Sequence, residues 1–142
     1  LGALVLGVTA LLVNAEPGRT ATTPAVKPAG PGHQVVSYDT GGPGGRGELF
    51  VRVDPAATGP NTIHVTVEDP GGSRHDVAEV RSELMLTARA LGPFAVPLRH
   101  TAPGEYDASG VQLPYPGGWK LSITVRTSDI DETTVAVPIN VR

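Results

Sequence analysis

Four histidines, His33, His64, His75 and His100, and a single methionine, Met85, are the side chains here whose chemistry reaches beyond packing and turns. Imidazole and thioether suit copper, and a chain without cysteine has no thiolate to compete with them. A metal centre also needs converging donors, and none of these five has the fixed spacing of a metal motif. His33 falls in a Pro/Gly-rich stretch and His75 in a Gly/Ser/Arg turn, where a solvated imidazole is the ordinary outcome. His64 shares the polar side of an alternating run with Thr66 and Glu68, which reads as an exposed histidine on a solvent face. Met85 alternates with Glu83 and Thr87, an outward position or a gap-filling one at a rim. His100 follows Phe94, Val96 and Leu98 at an inward position, either as a hydrogen-bonded rim histidine or as a ligand at the mouth of the domain. The candidate metal donors are therefore His100, His64 and Met85, in a weak rim site using one of the two histidines with Met85. Alternation puts the two histidines on opposite strand faces, so they converge only if strand ends or bulges turn them together.

An enzymatic reading needs a nucleophile with a base, or a paired acid and base, in a cleft. Asp129, Asp131 and Glu132 cluster in one hairpin turn with no histidine nearby in sequence, so they read as turn-forming residues. The sequence is read as non-enzymatic. With 11 basic and 14 acidic residues scattered along the chain, the basic footprint of a nucleic-acid binder is missing, and nucleic acid is excluded as a partner.

The elements that position these residues are strands. Leu49, Val51 and Val53 alternate with Glu48, Arg52 and Asp54; Ile63, Val65 and Val67 alternate with His64, Thr66 and Glu68; Asp69-Pro70-Gly71-Gly72 then turns the chain. Val80, Leu84 and Leu86 follow in less regular order, which a bulge or strand switch near Arg81-Ser82 reconciles. Phe94, Val96 and Leu98 form a fourth strand, with Pro97 pointing to a sheet edge. Tyr106 and Ala108 lie in a fifth. Trp119, Leu121, Ile123 and Val125 give the cleanest alternation in the chain and are expected at the centre of a sheet, and Val135 to Val141 complete the set. Residues 48–142 are thus predicted as an all-β domain, an immunoglobulin-like antiparallel sandwich of about seven strands.

Upstream, the prolines at positions 17, 24, 28 and 31 lie in a stretch without apolar periodicity, so Ala15 to Gln34 reads as a semi-extended linker. Val35, Val36 and Tyr38 add a short first edge strand, and Gly41 to Gly47 a flexible loop, so residues 15–47 are taken together as linker and edge strand. Leu1 to Val13 is an apolar run of about 20 Å as a helix, short of the roughly 30 Å hydrocarbon core. It lacks a basic flank and is read as a truncated transmembrane helix over 1–14, with a signal-peptide core or a buried helix as the alternatives.

Two stretches carry a resemblance. LGALVLGVTALLVNAEPGRTA resembles the final membrane helix of CopD-type copper resistance and copper transport proteins of actinobacteria. GEYDASGVQLPYPGGWKLSITVRTSDIDETTVAVPINV resembles the YtkA-like or FixH-like β-sandwich appended to that helix, through Tyr106, Gly110, Leu113, Pro114, Gly118, Trp119 and the turn Asp131-Glu132-Thr133-Thr134. The resemblance implies a domain at the cell membrane, on the extracytoplasmic side, attached through its amino-terminal helix and accessory to copper handling. Copper ion or a periplasmic copper-binding protein is the implied partner. The family pattern consists of fold residues and carries over no metal ligand. A generic exported interaction module of the same fold, without a metal role, is the alternative.

Overall fold

Alternating apolar residues can be kept dry only by stacking two sheets face to face, and the chain does this. The structure, a computed structural model, describes residues 26–30 and 33–142. Among them are ten strands: β1 (Val26–Gly30), β2 (His33–Asp39), β3 (Arg46–Asp54), β4 (Gly59–Glu68), β5 (Glu79–Leu86), β6 (Leu91–Val96), β7 (Arg99–Ala102), β8 (Glu105–Leu113), β9 (Gly117–Arg126) and β10 (Glu132–Val141). A single 3-10 turn, Thr87–Arg89, follows β5. All pairings are antiparallel, in one sheet ordered β1-β2-β3-β4-β8-β7 and a second ordered β10-β9-β5-β6. With β1 and β2 set aside, β3 to β10 take the places A, B, C, C′, D, E, F and G of an immunoglobulin-like sandwich.

The core is the period-two set predicted from sequence. Leu49, Val51, Val53, Ile63, Val65 and Val67 face Leu121, Ile123, Val125, Val135, Val137 and Ile139 across the sandwich, all buried. Trp119 lies on β9, between β10 and β5, buried, and its indole N–H donates to the Tyr115 carbonyl at 2.9 Å. The Gly110 of the resemblance has a physical role: φ is +66° there, where Thr62 on β4 faces both Ser109 and Gly110 across a bulge in β8. Asn61, also buried, ties down the connection before β4 by accepting from the Ala56 and Ala57 amides and donating to the Ala57 and Gly59 carbonyls.

Four expectations are corrected. The predicted fourth strand is two: β6 lies at the edge of the second sheet, β7 at the edge of the first, and the chain crosses between them at Pro97-Leu98. Phe94 accordingly points outward, 48% exposed, rather than into the core. β5 has no bulge against β9, because Ser82 takes the inward place between Val80 and Leu84 and its hydroxyl donates to the Val96 carbonyl at 3.0 Å. The stretch taken as linker contributes a strand, β1, and the first residues of β2; the strand expected at Val35 to Tyr38 forms, but it begins at His33 and is not an edge, since β1 pairs outside it. The sandwich therefore starts upstream of Glu48. The truncated helix expected over 1–14 lies outside the described residues, and no helix among the described residues is long and apolar enough to cross a membrane.

Candidate functional site

The three donors singled out from sequence do not meet. His64 is on β4, and its outward side chain lies next to Asp107 on β8, its register partner. His64 Nδ1–H donates to Asp107 Oδ1 at 2.8 Å, with the two side chains 31% and 35% exposed. His100 is on β7 opposite Tyr106, on the other face of the same sheet. Met85 lies on β5 opposite Lys120, on the outer face of the second sheet, which puts the whole sandwich between it and His64. Among the described residues no group of three or more histidine, cysteine, aspartate or glutamate side chains is arranged to hold a metal ion.

His100 takes the first of the two roles open to it, a hydrogen-bonded histidine at the rim. Its ring stacks on Tyr106, centroids 4.7 Å apart and planes 17° apart, and its Nε2–H donates to Asp76 Oδ1 at 3.0 Å. The same oxygen accepts the Gly104 amide at 2.6 Å. Asp76 thus clamps the β4–β5 connection onto the β7–β8 turn. The Gly104 amide, assisted by His100, holds the Asp76 carboxyl below its ordinary pKa. Burial pushes the Tyr106 hydroxyl up. Asp129 and Asp131 are the turn residues expected: Ser128 Oγ donates to Asp131 Oδ2 at 2.8 Å and accepts the Ile130 and Asp131 amides, while Arg126 approaches Asp129; Glu132 instead opens β10, opposite Arg126. His75 sits in the β4–β5 connection, with its amide donating to the Val67 carbonyl at 2.9 Å.

A grouping that sequence reading missed surrounds His64. Strand register aligns His33 on β2 with Arg52 on β3, Arg52 with His64 on β4, His64 with Asp107 on β8, and Asp107 with Arg99 on β7. This row crosses the outer face of the first sheet. His33 and His64 line one shallow groove of about 300 Å³, floored by Phe50 and bordered by Glu105, which Arg74 engages at 3.3 Å. The signal for it was register, visible only once the strand at Val35 to Tyr38 is extended back to His33 and paired with β3. The prolines of the preceding stretch argued against that. No family model, curated protein or solved structure matches the chain, so its function is argued from this geometry and from the residues of the resemblance.

Proposed function

We propose that this chain supplies an extracytoplasmic accessory β-sandwich to a copper-handling protein of the cell membrane, attached through its amino-terminal apolar segment. The observation that carries the proposal is where the resemblance residues fall. Trp119 and Leu113 are buried in the core, Tyr106 is the inner-face partner of His100, and Gly110 occupies the bulge. They belong to the scaffold, and the groups with ligand chemistry are displayed around it on exposed outer faces and rims. A domain so arranged delivers, receives or docks, and no reaction step is assigned to it. Its partners are copper ion or a periplasmic copper-binding protein.

The second reading, a generic exported interaction module, is favoured by one feature. The outer face of the second sheet is a hollow of about 610 Å³ lined by small side chains such as Ser122, Thr124, Thr134 and Ala95, with Arg81 and Glu83 at its border. Copper tolerance separates the readings. Deleting residues 33–142 from the membrane protein that carries them should lower growth in copper while leaving the amount of membrane-inserted protein unchanged. Unaltered tolerance would favour the interaction module.

A further inference from the structure

We propose that His33 and His64 form a shallow, exchangeable site for one divalent transition-metal cation on the outer face of the first sheet. This rests on the copper-handling reading above and deepens it, because it replaces the His100, His64 and Met85 grouping with a pair the fold does bring together.

Three observations converge. The two imidazoles lie in one cross-strand row with a single strand between them, so their Cα atoms stand about 10 Å apart at the usual strand spacing. Two imidazoles reaching inward from that separation, each forming a metal–nitrogen bond of about 2 Å, can share one ion above the groove. His64 is already prepared as a ligand. Its Nδ1–H is committed to Asp107 at 2.8 Å, which fixes the tautomer and leaves the Nε2 lone pair free, the arrangement found behind metal-bound histidines. Finally, both side chains are accessible: His33 is exposed and His64 is 31% exposed, so an ion can enter and leave. Solvent completes the coordination, which keeps the site weak. Asp107 acts as a positioning residue and does not bind the ion itself.

Arg52 stands between the two histidines and opposes a cation. Its side chain is exposed and, among the described residues, makes no ion pair, so it is free to swing toward solvent. That opposition gives the site a signature. Removing the charge tightens a cation site and weakens an anion site in the same groove.

Titration of the full chain in detergent with Cu(II), and separately with Zn(II), followed by calorimetry and by electron paramagnetic resonance for copper, tests the proposal. One ion per chain is expected, with two imidazole nitrogens bound to copper. His33→Ala and His64→Ala should each weaken binding at least about tenfold, and Asp107→Asn about tenfold with recovery in Asp107→Glu. Arg52→Gln should tighten it severalfold, while His100→Ala and Met85→Ala leave it unchanged. His33→Ala sits at the exposed start of β2 and should melt with the parent, so its effect is not an unfolding artefact. The proposal is overturned by no binding above buffer, by binding indifferent to both histidines, or by inorganic phosphate binding that Arg52→Gln abolishes. A bound ion with unaltered copper tolerance after domain deletion would leave the site standing and sink the functional reading. The reverse result would keep the reading and remove the site.

Discussion

His64–Asp107 and His100–Asp76 pair the same residue types at nearly the same separation, 2.8 and 3.0 Å, yet the fold uses them differently. In the first, Asp107 takes Nδ1 and leaves Nε2 without a hydrogen-bond partner among the described residues, on a side chain that lines an open groove with a second imidazole. In the second, Asp76 takes Nε2, one face of the ring is covered by Tyr106, and the carboxylate is shared with the Gly104 amide. One pair presents a ligand and the other closes a loop. Residue type therefore says little about a histidine's role; which ring nitrogen is bound and what the free one faces say much more.

The comparison breaks first if either pair carries the fold. The buried core should set the scale instead: Trp119→Ala is expected to cost about 3 to 5 kcal/mol in denaturant unfolding, against at most about 1 kcal/mol for His64→Gln, whose pair is solvent-screened. A His64→Gln loss approaching that of Trp119→Ala would make the groove structural.

The clamp should show a pH signature. Asp76 has its pKa lowered from 3.8, so its contribution is fully present above that value and disappears as pH falls below it. Asp76→Asn should thus melt below the parent at neutral pH, the two converging in acid below that range. A gap that stays constant down to the acid limit would assign the effect to something other than the carboxylate.

The contrast between structural and exposed polar groups is legible in the sequence to very different degrees. Strand β9 was, because Trp119, Leu121, Ile123 and Val125 alternate with polar residues for its length, and that pattern depends on nothing distant. The sheet switch between β6 and β7 was not. Phe94, Val96 and Leu98 continue the alternation through Pro97 with no turn signal, while hydrogen bonding to two different sheets decides the break. The hairpin placing of His33 was hidden for the same reason. Only its pairing with Arg52, and that of Arg52 with His64, brings it into the groove. That carboxylates partner His64 and His100 is equally non-local, 43 and 24 residues apart in sequence.

The smallest effect concerns a polar group with no role in either pair. Tyr38 is buried on β2, its hydroxyl lacks a hydrogen-bond partner among the described residues, and burial, with Asp69 nearby, raises its pKa. It sits opposite Gly47, where any Cβ would come within 2.8 Å of that hydroxyl, so the ring packs closely against bare backbone. Tyr38→Phe should be neutral or stabilising by up to about 1 kcal/mol, read from the denaturation midpoint. A clear loss of stability would mean the hydroxyl does have a partner.

The difference between the two histidine–aspartate pairs is tested most directly by nitrogen NMR of the ring atoms of all four histidines during titration with Zn(II). His64 should show a protonated Nδ1 before metal is added, and on titration only the His64 and His33 resonances should move, with His64 Nε2 shifting as the bound atom. His100 and His75 should stay in place. Movement of His100 with His64 and His33 unchanged, or no change in any ring, would contradict the assignment of the open groove as the cation site.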